Sequence, residues 1–188
     1  MLTLNIPDTK KNYSTLLCAG LIIVLFSGCA TASIESGESN SVKGPYDRIF
    51  ILISGSPRAD KFIEGFAEKI KYAISERNTN VEVYVEERLS LETQKDIDDK
   101  INAHKSDAVM IIKQTEALID GRYGFGTGRG SMAGTFDLRL FEKAQKRPVW
   151  RANMKAYGEY GISMSIEKTV KKFIALLEQD KILRRINN

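Results

Sequence analysis

From about residue 48 onward the spacing of apolar residues changes from one segment to the next, and each spacing names an element. Ile49-Phe50-Ile51-Leu52-Ile53 is an unbroken run rich in β-branched residues, the pattern of a strand buried on both faces. Gly55, Ser56 and Pro57 follow it and predict a helix with Ser56 as N-cap and Pro57 at the first helical position. Phe62, Ile63, Phe66, Ile70 and Ile74 then recur every three or four residues, a single stripe turned toward a core. Arg77-Asn78-Thr79-Asn80 reads as the turn that ends this helix.

Val81, Val83 and Val85 alternate with Glu82, Tyr84 and Glu86, so the second strand has one wet face or lies near a sheet edge. Ser90 is placed to cap a second helix whose buried line is Ile97 and Ile101, with Asp96, Asp98, Asp99 and Lys100 toward solvent. Ala108 to Ile112 is again a buried run, and the succession β-α-β-α-β implies parallel pairing through crossover helices. The period then shortens to two. Phe136, Leu138 and Leu140 alternate with Asp137 and Arg139, and after the turn Lys146-Arg147-Pro148 so do Trp150, Ala152, Met154 and Ala156 with Arg151, Asn153 and Lys155; these are antiparallel hairpin strands. A last helix from about Ser165 carries Ile166, Val170, Phe173, Ile174 and Leu177. The predicted fold is α/β, a single mixed β-sheet covered by helices in the order β-α-β-α-β-β-β-α, over residues 47–188.

The first residues follow another logic. Lys10 and Lys11 precede an apolar run from Leu16 to Phe26, the length of a signal h-region and short of the ~20 residues of a membrane-spanning helix. The run closes with Leu25-Phe26-Ser27-Gly28-Cys29, which resembles the lipobox of bacterial lipoproteins, with Phe26 where Leu is usual. The resemblance implies cleavage of residues 1–28 and a lipid on Cys29, hence membrane attachment through covalent lipid. Two or three acyl chains at about 0.8 kcal/mol per buried methylene make such an anchor effectively permanent. Cys18 leaves with the signal. Ala30 follows the cysteine instead of the Asp that retains such proteins at an inner membrane, which implies an outer-membrane protein facing the periplasm. Residues 29–46 are rich in Ser, Gly and small polar residues and read as a flexible tether, with ends about 20 to 25 Å apart as a random coil.

Composition narrows the chemistry. The net charge is +4, with Lys and Arg scattered among Asp and Glu; nucleic acid is not an expected partner. The compact basic spot is Leu183-Arg184-Arg185-Ile186, two arginines placed to complement the dipole of the last helix. With Cys29 acylated the mature domain has neither disulfide nor free thiol. His104 is the sole histidine, too few nitrogen ligands for a zinc site, and no cofactor is expected.

Gly121 to Gly134 holds six of the fourteen glycines and reads as a mobile loop whose Arg122, Tyr123, Phe125 and Arg129 are candidates for docking a partner. Gly128 to Ala133 fits a G-x-G-x-x-A pattern, but that motif needs a helix after it, and a strand is predicted there. Ser165-Ile166-Glu167-Lys168 matches S-x-x-K without the partner motifs of penicillin-binding enzymes and reads as an N-cap with a surface lysine. Asp96, Asp98 and Asp99 lack the glycine and the terminal glutamate of an EF-hand. Glu86 and Glu87, as neighbours on a strand, point to opposite sides.

The element order resembles the periplasmic domains of the curli-secretion lipoprotein family, the lipoproteins that activate penicillin-binding proteins, and the amino-terminal domain of the Tol translocation protein, a resemblance of fold that does not transfer function. The expected protein is a non-catalytic, membrane-anchored envelope lipoprotein that binds a protein or cell-wall partner or supports assembly of an envelope complex. The alternatives are a subunit of an oligomeric outer-membrane secretion channel and a hydrolase using Ser or carboxylate chemistry.

Overall fold

The computed structural model describes residues 31–37, 42–87, 91–120, 131–143, 145–158 and 162–186. Six strands form one mixed sheet: β1 (Thr31–Ser36), β2 (Arg48–Ser54), β3 (Asn80–Val85), β4 (Ala108–Asp120), β5 (Ser131–Glu142) and β6 (Trp150–Gly158). Three helices accompany them, α1 (Asp60–Ser75), α2 (Gln94–His104) and α3 (Ile162–Gln179). Across the sheet the order is β1-β6-β5-β4-β2-β3. β2 is parallel to both β3 and β4, and every other pairing is antiparallel. The α/β class, the single mixed sheet and the order of elements from Arg48 onward are those expected.

Side-chain alternation sorts the sheet into two faces. Ile49, Ile51 and Ile53 lie in register with Ala108, Met110 and Ile112; Leu138, Leu140, Trp150, Ala152 and Met154 continue the same face, and all of them are buried. α1 and α3 pack side by side on this face, α1 toward β3 and α3 toward β1 and β6. Phe62, Phe66, Phe136 and Phe173 meet at its centre, with ring centroids 5.5 to 5.7 Å apart. On the opposite face α2 covers the corner at β2, where Phe50 is buried against His104, the rings 6.2 Å apart. Arg139, Arg151, Asn153 and Lys155 remain exposed there. The unbroken apolar run thus marks the strand sandwiched between helices, and the alternating runs mark strands with one wet face.

Thr31–Ser36 is not tether. It forms the edge strand β1, paired residue by residue with β6 from Thr31 opposite Tyr157 to Ser36 opposite Ala152. Ala32 is buried and Ile34 packs against the core, so a small-residue sequence that looks structureless is recruited because β6 offers it an unpaired ladder. Tyr46, also placed in the tether, is buried, and its N–H donates to Ile182 O at 3.1 Å. The glycine-rich segment is likewise shorter than expected: β5 begins at Ser131, with Met132, Ala133 and Gly134 paired to β4 and β6. Thr93, not Ser90, caps α2. Its hydroxyl accepts from Asp96 N–H, and the Asp96 carboxylate accepts from Thr93 N–H at 2.7 Å, a capping box.

Candidate functional site

β2 sits between β3 and β4, so the chain passes to one side of it through α1 and to the other through α2, with the two helices on opposite faces. Ligands of open α/β sheets bind outside the carboxyl ends of the parallel strands at such a switch point. A cleft of about 480 Å³ lies there, formed by the residues that follow β2 and β3 and by the part of β4 that runs beyond them. Its size falls within the roughly 300 to 1,000 Å³ of small-molecule sites.

Gly55 and Ser56 close the cleft at the end of β2. The Ser56 N–H donates to Gln114 Oε1 at 2.6 Å, and Gln114 Nε2 donates to the Glu116 carbonyl at 3.2 Å. Gln114 thereby holds the turn after β2 against β4 at the bulge between Gln114 and Glu116. The Ser56 hydroxyl is buried and, among the described residues, has neither a hydrogen-bond partner nor a base to activate it as a nucleophile. Across the cleft, the Tyr84 hydroxyl and the Lys100 ammonium both donate to the Glu92 carboxylate, and Lys100 stands 4.0 Å above the Tyr84 ring. Glu86, Glu87 and Glu116 complete the lining with Lys113. Carboxylates outnumber cations on this wall, which favours a neutral hydrogen-bonding or cationic ligand over an anion.

No family model matches the sequence, and no curated relative does. Among solved structures the fold is similar to PelC from Paraburkholderia phytofirmans, a dodecamer seen in two crystal forms, each with TM-score 0.52. One is 14% identical and covers 76% of this chain and 96% of that chain; the other is 13% identical and covers 77% and 96%. The lipoprotein GNA1162 from Neisseria meningitidis aligns at TM-score 0.44 with 16% identity, over 70% of this chain and 98% of its own. At these identities the likeness is one of fold.

The residues singled out by sequence are dispersed. Cys29, Arg122, Tyr123, Phe125 and Arg129 lie outside the described residues. Ser165 is no N-cap: α3 begins at Ile162, Ser165 is buried, and its carbonyl accepts from Thr169 Oγ1 at 2.6 Å. His104 does not line the cleft; its Nδ1 is 2.8 Å from Ser106 Oγ. Glu86 and Glu87 do share a site, because β3 ends at Val85 and the alternation that would separate them no longer applies. Among the described residues no three His, Cys, Asp or Glu are arranged to hold a metal ion. The residues that build the cleft's polar network, Gln114, Glu92 and Lys100, were missed; the signal for Gln114 was an uncharged polar residue two positions past the apolar run of β4, after Lys113.

Proposed function

We propose that this chain is a non-catalytic envelope lipoprotein, anchored through Cys29 in the outer membrane, whose domain serves as a docking or assembly module. The observation that carries the reading is the position of β1. Thr31 is already in the sheet, and two residues of chain span at most about 7 Å, so an acyl group on Cys29 would hold the sheet close to the bilayer. The 20 to 25 Å stand-off of a tether disappears. On this reading the anchored end of the sheet is the one where β4 and β5 run past β2, since Thr31 is level with Tyr157 and Ala133.

The site chemistry supports a binding role over catalysis, since Glu92, Tyr84 and Lys100 engage one another and the Ser56 hydroxyl has no base. Mass spectrometry of the amino-terminal peptide from a membrane fraction tests the anchor. Diacylglycerol and acyl mass on Cys29, lost in Cys29→Ser, is the expected result; an unmodified cysteine in a soluble fraction overturns it.

A second reading, a subunit of an oligomeric outer-membrane channel, is favoured by the projecting β4–β5 hairpin and by the similarity to PelC, which forms a dodecamer. β4 has 13 residues and β2 only 7, but the excess is short of the roughly 9 to 11 residues of a membrane-crossing strand. The mass of the detergent-purified protein decides: a strict monomer removes this reading.

A further inference from the structure

The end of the sheet opposite the cleft carries a surplus of cations, and the surplus has a structural origin. Its carboxylates are engaged by partners within the molecule. Glu142 accepts at Oε1 from the Tyr46 hydroxyl at 2.8 Å and the Lys43 N–H at 3.3 Å, and at Oε2 from Gln145 Nε2 at 3.1 Å. Asp107 accepts from the Arg48 backbone at 2.9 Å. Asp180 accepts from Trp150 Nε1 at 2.7 Å, Glu178 pairs with Arg77, and Asp47 with Arg184. Lys105, Lys143, Lys146, Arg147, Lys181 and Arg185 are all exposed. None of these six has an ion pair among the described residues.

Four of the six form one rim. The β5–β6 turn brings Lys143, Lys146 and Arg147 together, and the Lys143 N–H donates to Asp107 O at 3.4 Å, beside Lys105. Backbone bonds from Gln145 to Glu142 at 2.9 Å and from Val149 to Leu140 at 2.8 Å fix the turn, so ordering it on binding costs little entropy. Lys105 is locked in the left-handed conformation at the end of α2, φ 55°.

We propose that this rim, Lys105, Lys143, Lys146 and Arg147, docks cell-wall peptidoglycan through the carboxylates of its peptide stems. The occupant follows from charge complementarity and from direction. β6 separates the rim from the end where Thr31 enters by about 25 Å, at ~3.3 Å per residue, so the rim faces away from the anchoring membrane. That outward direction rests on the Cys29 anchor; the charge match does not.

The test is co-sedimentation of the full mature chain in detergent with purified peptidoglycan sacculi. Lys143→Gln, Lys146→Gln and Arg147→Gln together are compared with a charge-matched control, Lys61→Gln, Lys71→Gln and Lys95→Gln. The expected result is salt-sensitive binding that weakens about tenfold in the rim variant, about 1.4 kcal/mol over the three charges, and is unchanged in the control. Salt titration of the unaltered protein reads the same electrostatics without a substitution. Absence of binding, equal loss in both variants, or stronger rim-dependent binding to phosphatidylglycerol vesicles overturns the proposal. The mass of the Cys29 peptide, read on the same sample, tells a failed anchor from a failed rim.

Discussion

The two ends of the sheet use polar side chains in opposite ways. At the cleft end one part-buried bond, from the Ser56 N–H to Gln114, joins distant segments, and the others named there are local: Tyr84 and Lys100 meet on Glu92, eight residues from each, and Thr93 caps its own helix. At the basic end they join segments far apart in sequence: Tyr46 to Glu142, Trp150 to Asp180, Thr79 to the Tyr46 carbonyl. Gly44 belongs to this latch, since a Cβ there would stand 2.3 Å from the Lys181 carbonyl. A carboxylate that ties distant segments is withdrawn from the surface, so the end that holds the fold together is also the end left with free cations. At the cleft end Glu86 and Glu87 stay exposed, and Glu92 is held by residues eight positions away.

Removing the largest fully buried side chain of the latched end is the severest way to break this contrast. Trp150 is 1% exposed and carries the bond to Asp180. Trp150→Ala is expected to cost about 3 to 5 kcal/mol through the lost apolar contacts and the cavity. Its Tm should fall by about 10 °C. Calorimetry checks this; a fall of only a degree or two means that the latch is ornamental and the helices alone hold the fold.

Tyr46→Phe removes one hydroxyl from the same end. A hydrogen bond to a charged group contributes about 1.5 to 3 kcal/mol, and without it Glu142 Oε1 keeps the Lys43 N–H, while Oε2 keeps Gln145 and the Lys43 ammonium. Burial, then the bond to Glu142 and its negative charge, push the Tyr46 phenol well above its ordinary 10.0. Because the folded protein holds this proton more tightly than the unfolded chain, stability is full below about pH 10 and declines as pH rises through the folded-state value. Denaturation between pH 8 and about pH 11 should show an alkaline loss that shrinks in Tyr46→Phe; an unchanged slope assigns the loss to other groups.

The fold was legible where one period dominated a segment, as in β2, α1, β5 and β6, because burial and spacing say the same thing there. It was illegible in β1, whose Ala32 and Ser33 gain a strand only from the ladder that β6 offers. Charge was harder still. In sequence the lysines and arginines are scattered among acids, and only folding sorts them, bringing Lys105 beside Lys143 and Lys146 while carboxylates such as Glu142 turn inward. Arg184 shows the limit of a local rule: it lies beyond the end of α3 at Gln179 and pairs with Asp47 and the Asn78 carbonyl, so it ties two segments together and does not complement a helix dipole. The cleft is a product of topology, and its residues carry no motif.

The smallest expected effect comes from the cleft end. Thr93→Ala removes the α2 cap, whose loss typically costs about 1 kcal/mol, but α2 has large apolar side chains only at Ile97 and Ile101 and packs on a corner of the sheet. The cost should therefore appear as local fraying: amide exchange at the start of α2 quickens while exchange in β2 and β4 stays as it was. The same box carries a pH signature. Hydrogen bonds from the Thr93 backbone and hydroxyl hold the Asp96 carboxyl below its ordinary 3.8. Its contribution is present above about pH 4 and is lost as pH falls through the lowered value. Acid should then loosen α2 in the parent protein, and less so in Thr93→Ala, which loses the hydroxyl bond to Asp96 and keeps the backbone one. If exchange in β2 and β4 quickens as well, the cleft end is coupled to the latched end, and the division of the sheet into a tied end and a free one does not hold.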